Sequence, residues 1–112
     1  MNKYRNVPVT IDNIKFPSKR EGMRYQQLKL LERAGEISCL ELQKPFQIFP
    51  RVKYDKAEKA TPAVRYFADF YYVDTKTGKH VIEDVKGFET PVFKLKRQGL
   101  KALYGLDITI IK

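Results

Sequence analysis

The sequence contains one cysteine, one histidine and no tryptophan among its 112 residues. One cysteine cannot form an internal disulfide, and a single cysteine with a single histidine cannot build a structural zinc site. We expect Cys39 to be a small buried hydrophobic residue, in keeping with a reducing cytoplasm. Any catalytic chemistry in this chain would therefore have to use carboxylates and lysines.

Long apolar runs are also lacking. The residues after Met1 are polar where a signal peptide would be apolar, and no stretch has the length of a membrane-spanning helix. We therefore expect a cytoplasmic protein that does not bind a membrane. In contrast, 22 Lys and Arg outnumber 13 Asp and Glu, which gives a formal charge of +9. This excess favours an anionic partner, and nucleic acid is the first candidate.

The length favours one domain that covers residues 1–112. Residues 1–17 are predicted to form an N-terminal arm or an edge segment, and the polar stretch 53–63 is predicted to form a mobile loop. The remaining pattern predicts a helix at 18–34, strands at 37–42, 46–52, 63–73 and 81–86, a helix at 90–104 and a strand at 107–111. This order predicts an α/β fold, in which a mixed central sheet is flanked by helices.

The ends of both helices carry capping signals. Ser18 with Glu21 matches a capping box, and Thr90 before Pro91 is typical of a helix start. Gly35 and Gly105 would end the two helices. The spacing of apolar residues in the first helix predicts a buried face made of Met23, Leu30, Leu31 and Ala34, broadened by Tyr25 and Leu28.

The segment Val81–Gly87 places charges in a strand whose Val and Ile content favours a central position in a sheet. Because side chains alternate along a strand, Ile82, Asp84 and Lys86 share one face. Burying a carboxylate and an ammonium at such a position costs free energy, unless the two groups are paired or belong to a functional site. An exposed pair on an edge strand would also give this pattern. Glu83 faces the opposite side of the strand. It is interpreted as an acid on the surface, or as one that supports the metal ligands without binding the metal, unless a bulge exchanges it with Asp84.

A second acid, Asp69, lies in the preceding apolar strand. A four-residue loop that sets Asp74 opposite Lys79 would also set Asp69 opposite Asp84, whereas a three-residue loop would put them on opposite faces. Directly opposed carboxylates repel each other, and the pair is stable if one acid is protonated or if a cation lies between them. A divalent metal with oxygen ligands is the simpler of these two solutions. We therefore expect Asp69 and Asp84 to hold Mg²⁺ or Mn²⁺.

Other residues are expected to complete this site. The Val85 carbonyl is a candidate metal ligand, and Lys86 a candidate group to stabilise charge on a phosphate or to orient water. Glu21 is either a third carboxylate or only a helix cap. On the second helix, Lys94, Arg97 and Lys101 form a basic stripe beside Gln98, which would follow a DNA backbone or would simply be solvated.

These residues together resemble the PD-(D/E)XK nuclease superfamily, over about residues 18–111. The resemblance implies a restriction-endonuclease-like α-β-β-β-α-β core, here with one extra strand among residues 37–52. It also implies that Glu21, Asp69 and Asp84 bind metal and that Lys86 is catalytic. Within the superfamily, the chain is similar to small phage-encoded proteins near Holliday-junction resolvases and the endonuclease subunit of a Tn7-type transposase.

The sequence departs from the superfamily at two points. Ala68 stands where a proline often precedes the first acid. The glutamine–tyrosine signature of the RecB-like branch is absent, since Ala102 rather than tyrosine follows Gln98 at that spacing.

The resulting expectation is a Mg²⁺- or Mn²⁺-dependent DNA endonuclease that acts on branched or duplex DNA, such as a phage Holliday-junction resolvase. A homodimer would supply two active sites. The alternative is a nucleic-acid-binding module with the same fold and no catalysis. A third interpretation, a ribosome-associated RNA-binding protein, depends on charge alone and lacks an aromatic RNA-binding signature.

Overall fold

The structure, a computed structural model, describes residues 7–112. The first six residues of the predicted arm lie outside the described residues. The elements are β1 (Val9–Ile11), β2 (Ile14–Phe16), α1 (Lys19–Arg33), β3 (Ile37–Phe49), β4 (Val64–Asp74), β5 (His80–Val85), α2 (Pro91–Tyr104) and β6 (Ile108–Ile111). The predicted α/β fold is confirmed, and the elements from α1 to β6 follow the order α-β-β-β-α-β. Neither helix in this part of the chain is long and apolar enough to cross a membrane.

The central sheet is mixed and has the strand order β3-β4-β5-β6. Strand β4 is antiparallel to both β3 and β5, whereas β6 is parallel to β5 and is reached through α2. Phe70 pairs with Glu83, and the backbone of Asp74 donates to Lys79 at the turn. The predicted loop and register of this hairpin are therefore confirmed, and Asp69 and Asp84 occupy the next position beyond the last pair.

Both helices begin and end where the capping signals predicted. The Ser18 hydroxyl accepts from the amide of Glu21 at 3.2 Å, and the Thr90 hydroxyl accepts from the amide of Phe93 at 3.1 Å. At the end of α2, Gly105 has a φ of 71°, which glycine adopts without the steric cost that a side chain brings.

The predicted buried face of α1 is largely wrong. Tyr25 and Leu28 are buried as predicted, but Met23 and Leu30 are exposed, as are Leu31 and Ala34. The helix instead buries a face that begins with Glu21 and Gly22. Close packing is possible there because Gly22 has no side chain: a Cβ at this position would lie 2.7 Å from the Val9 side chain.

Residues 37–49 form one strand rather than the two predicted strands, so the extra strand is absent from the sheet. Pro45 lies inside β3, which is tolerated because β3 is an edge strand with a ladder on one side only. The pairing of β3 with β4 shifts between Ser38 and Glu41, which marks a bulge. Cys39 lies in this bulge at a φ of 58° and is exposed, so the prediction that it is buried is wrong.

The N-terminal segment is more structured than the predicted arm. Strands β1 and β2 form a small antiparallel hairpin, and Phe16 at its end is buried against α1 with its ring 5.0 Å from that of Tyr25. Residues 53–63 contain no helix or strand, as expected of a loop. The mobility of this loop stays a prediction.

Hydrophobic clusters cover both faces of the sheet, because each helix packs on a different face. The α1-side cluster consists of Phe16, Tyr25, Leu28, Ile37, Phe70 and Tyr72. The α2-side cluster consists of Phe46, Ile48, Tyr66, Ala68, Tyr71, Ile82, Phe93, Leu100 and Ile108. The two charged residues buried on the inner strand β5, Glu83 and Asp84, therefore need partners within the protein.

Helix α2 packs closely on β3 at Gly99, and we predict that Gly99→Ala destabilises the protein. A Cβ there would lie 2.6 Å from the Ile48 Cγ2 methyl, which is attached next to the backbone and cannot swing away. The overpacking should outweigh the gain of about 1 kcal/mol in helix propensity and lower the unfolding free energy by about 1–2 kcal/mol. Urea unfolding would measure the loss.

The same experiment on Ile48→Ala and on the double variant provides a double-mutant cycle for this contact. Once the methyl is removed, the added Ala side chain should cost little, so the two changes should not be additive. A higher urea midpoint for Gly99→Ala alone would contradict the close packing of α2 on β3.

Candidate active site

The acidic residues singled out in the sequence come together at one end of the β4–β5 hairpin. Asp84 is 3% exposed and Glu21, on α1, is 6% exposed. The pKa of Glu21 is raised to about 7, first by burial and then by the carboxylates of Asp69 and Asp84, while the Lys86 ammonium opposes this shift. These four charged groups therefore form a single electrostatic cluster.

Asp84 is held by two neighbours. The Tyr66 hydroxyl donates to its Oδ2 at 2.6 Å, and the Lys86 Nζ lies 3.5 Å from its Oδ1. The pKa of Asp84 is raised to about 6, mainly by burial and also by the Asp69 carboxylate, although the hydrogen bond from Tyr66 and the charge of Lys86 lower it. The carboxylate thus has a fixed orientation, although its negative charge is costly.

Lys86 is directed toward this cluster rather than into solvent. Its ammonium lies 3.5 Å from the Asp84 carboxylate and 4.6 Å from the centre of the Phe93 ring, which is a cation–π contact. Because Phe93 is buried in the first turn of α2, the helix also fixes the lysine.

Asp69 is held by two donors from neighbouring strands. The backbone amide of Val85 donates to its Oδ2 at 2.9 Å, and the Gln43 side chain donates to its Oδ1 at 3.1 Å. Val85 therefore contacts the site through its amide group, whereas the sequence suggested a role for its carbonyl. The carboxylate is only partly buried.

The Glu21 and Asp69 carboxylates line an open cleft of about 290 Å³. The other walls come from the end of the N-terminal hairpin and from β3, namely Ile14, Lys15, Phe16, Pro17, Leu42 and Gln43. A molecule from solvent can therefore reach the acidic cluster between the hairpin and β3.

The donors in this cluster are the kind that a magnesium or manganese ion prefers. Three carboxylates supply hard oxygen ligands. The pKa values of Glu21 and Asp84 are raised by burial first and by neighbouring carboxylates second, and a bound cation would offset both effects. Within residues 7–112, no three His, Cys, Asp or Glu side chains already stand in a metal-binding arrangement. The residue types fit a divalent cation, but the oxygens of Asp69 and Asp84 are turned toward their protein partners.

Glu83 lies on the opposite face of β5, and its interpretation as a surface acid is wrong. It is 1% exposed, and Arg24 donates to its two oxygens at 2.7 Å each. The Tyr72 hydroxyl donates to the same carboxylate. The register of β5 is regular with both neighbours, so no bulge exchanges Glu83 with Asp84. Its burial follows from the inner position of β5, which both hydrophobic clusters cover.

The sequence did not point to the partners of these acids, which are Arg24, Gln43, Tyr66 and Tyr72, or to Phe93, which contacts Lys86. Arg24 had a usable signal, because a glutamate in a central strand requires a cation and Arg24 is one helical turn from Glu21. The sequence pattern around Tyr66 and Phe93 indicates only that these residues belong to the core. Gln43 carries no signal, because its position depends on the local backbone of β3.

The four predicted DNA-binding residues lie apart from the acidic cluster. Lys94, Arg97, Gln98 and Lys101 are exposed on α2 and line a second cleft of about 580 Å³. Arg97 is 3.4 Å from Glu89, and Lys101 is 2.9 Å from Asp107. The stripe exists as predicted, but acids oppose two of its three cations.

The fold and this cluster define an α/β protein in which buried carboxylates and a lysine meet at the end of a central hairpin. The chain belongs to the family described as "Protein of unknown function (DUF1064)", which matches residues 1–111. Comparisons with curated proteins and with solved structures found no match.

Proposed function

We propose that the protein is a Mg²⁺- or Mn²⁺-dependent DNA endonuclease that hydrolyses phosphodiester bonds. The observation that carries this proposal is the clustering of Glu21, Asp69 and Asp84 with the Lys86 ammonium, 3.5 Å from Asp84. Buried acids with raised pKa values beside a lysine are more typical of a functional site than of a structural ion pair.

Each residue has a distinct part in this mechanism. Asp69, Asp84 and Glu21 would hold the cation, which when bound polarises a phosphate and lowers the pKa of water. The Lys86 ammonium would stabilise negative charge on the phosphate, and Phe93 keeps it in place. Tyr66 orients Asp84 through its hydrogen bond.

Membership of the PD-(D/E)XK nuclease superfamily is part of the proposal. The α-β-β-β-α-β order agrees with it, as do the positions of the acids on α1, β4 and the end of β5. Within that superfamily we propose a branched-DNA resolvase that acts in the cytoplasm, as a homodimer that would cut both strands. These finer statements depend on the resemblance in sequence.

The positive charge supports DNA as the substrate. The chain carries a formal charge of +9, and the α2 cleft offers Lys94 with Arg97 and Lys101 to a phosphate backbone. Arg97 is paired with Glu89, and Lys101 is paired with Asp107. Of the three cations on α2, Lys94 should therefore contribute most to the binding of DNA.

A non-catalytic DNA-binding module is the second candidate. The orientation of Asp69 and Asp84 toward protein partners rather than toward a common point favours it. Such a module would use the basic surface and would not cleave.

Asp69→Asn separates the two candidates. The wild-type protein should cleave at least one of labelled junction, flap, duplex and single-stranded DNA when Mg²⁺ or Mn²⁺ is present. The variant should lose at least about 10²-fold in rate and keep its affinity, since a cation ligand is removed while the basic surface remains. Gel electrophoresis would measure cleavage, and fluorescence anisotropy would measure binding.

Asp55→Asn, in the exposed 53–63 loop, is the matched control and should cleave like the wild-type protein. Binding without cleavage of any substrate across varied pH would reject the endonuclease and favour the module.

A further inference from the structure

Gln43 has a backbone conformation that its side chain disfavours. Its φ is 51°, in the left-handed region that residues other than glycine seldom adopt within a strand. The pairs on either side, Leu42 with Phe70 and Lys44 with Ala68, keep the same register. Gln43 therefore faces Asp69 without an inserted residue, and the left-handed turn is a local kink in β3.

The same point marks a change in direction along β4. Ala68 belongs to the α2-side cluster, whereas Phe70, two residues later, belongs to the α1-side cluster. Alternation along a regular strand would put both on one face. The kink at Gln43 and the change of face at Asp69 thus coincide, and together they determine where the Asp69 carboxylate points.

The amide of Gln43 is used at this point. Its Nε2 donates to the Asp69 Oδ1 at 3.1 Å, and it lines the 290 Å³ cleft with Asp69 and Glu21. Residues held in sparsely populated backbone conformations cluster at functional sites, because the surrounding structure must impose them. Glycine would adopt this backbone conformation at no steric cost. The position is instead occupied by Gln43, whose side-chain amide donates to Asp69, a candidate metal ligand.

We propose that Gln43 is a positioning residue of the active site, which fixes the orientation of the Asp69 carboxylate at the wall of the hairpin–β3 cleft. This inference rests on the proposed function, since it assigns Gln43 a part in the same site. It acts through Asp69 rather than on the substrate.

Gln43→Gly is the decisive variant, because it removes the amide and accepts the left-handed backbone. The folded protein should keep or raise its urea midpoint. Single-turnover cleavage should fall about 10–100-fold, as for residues that orient metal ligands, while the DNA dissociation constant stays within about twofold. The rise in melting temperature on adding Mn²⁺ should also be smaller than for the wild-type protein, which gives a readout besides activity.

Cys39→Gly provides a matched control. Cys39 lies in the same strand at a φ of 58° and is exposed in the Ser38–Glu41 bulge, outside the cleft. Both glycine variants should change the urea midpoint alike, and only Gln43→Gly should change cleavage and the Mn²⁺ response. Gln43→Asn tolerates the same backbone but has a shorter amide, so it should lose cleavage as the glycine variant does.

Two results would overturn the inference while the proposed function stands: wild-type cleavage rates in Gln43→Gly, or a urea midpoint well below that of Cys39→Gly, which would assign a structural role. If the wild-type protein cleaves no DNA but responds to Mn²⁺, the endonuclease is rejected and the response of Gln43→Gly still decides the positioning role. A wild-type protein with neither property overturns both.

Discussion

Asp84→Asn should abolish DNA cleavage and at the same time stabilise the metal-free protein. Asparagine has the same shape, is uncharged and can still accept the bond from the Tyr66 hydroxyl, so the fold should be kept. Cleavage should fall by about 10³-fold or more, since the change removes a charged ligand of the cation and the partner of Lys86. The gain in stability follows from the burial of Asp84, because its charge is costly there.

The sign of the pH dependence follows from the pKa of Asp84. In the folded protein this pKa is raised from 3.8 to about 6. The protonated form is therefore favoured by folding, and the contribution of Asp84 to stability is present below pH 4 and lost as the pH rises through 6. At pH 8 the neutral variant should be more stable by about 1–3 kcal/mol, and the difference should shrink toward pH 4.

Urea unfolding at pH 4, 6 and 8, with a chelator present, measures this trend. Asp107→Asn is a suitable control because, among residues 7–112, this exposed aspartate pairs with Lys101 alone. Its replacement should change stability by less than about 0.5 kcal/mol. Added Mg²⁺ should stabilise the wild-type protein more than Asp84→Asn. Equal stability of the two proteins at pH 8 would contradict the crowding of negative charge in the cluster.

The candidate site could be predicted from the sequence because its residues obey local rules. Charges inside apolar strands identified Asp69 and Asp84, and the length of the turn fixed their register, which the pairing of Phe70 with Glu83 bears out. The capping signals of Ser18 and Thr90 set the start of each helix. Each of these inferences uses residues that are close in sequence.

The failures all depend on packing between distant segments. The buried face of α1 is determined by the N-terminal hairpin, whose Val9 lies against Gly22 and whose Phe16 packs on Tyr25. The continuity of β3 through Pro45 depends on the position of β3 at the edge of the sheet. The exposure of Cys39 depends on the bulge in the pairing of β3 with β4. Hydrophobic spacing cannot anticipate such choices, because a helix with polar residues on its buried face, as α1 has at Glu21, carries almost no pattern.

The second large effect concerns the face of the sheet behind the acidic cluster. We expect Arg24→Ala to lower the unfolding free energy by about 3–5 kcal/mol, because the Glu83 side chain is 2% exposed and would lose its bidentate partner. Tyr72 would remain as a donor, but a single hydroxyl cannot balance a buried negative charge. Such a loss is a large part of the stability of an ordinary domain.

Glu83→Gln should be milder, since Arg24 is partly exposed and can turn toward solvent. The double variant Arg24→Ala with Glu83→Gln should recover much of the loss, because no unpaired charge then remains. Lys29→Ala, which removes a partly exposed pair with Glu32 on the same helix, should cost at most about 0.5 kcal/mol. Thermal and urea unfolding of the four variants would test this order.

The Arg24–Glu83 pair also bears on the proposed chemistry. Arg24 lies one turn after Glu21 on α1, so the pair fastens to β5 the same helix that carries Glu21 into the cluster. At a temperature where Arg24→Ala is still folded, its cleavage rate should fall together with its Mn²⁺ response, and the double variant should recover part of both. The double variant could regain stability but neither the cleavage rate nor the Mn²⁺ response. In that case charge neutralisation alone does not position α1, and the two hydrogen bonds from the Arg24 guanidinium to Glu83 must determine the position of Glu21.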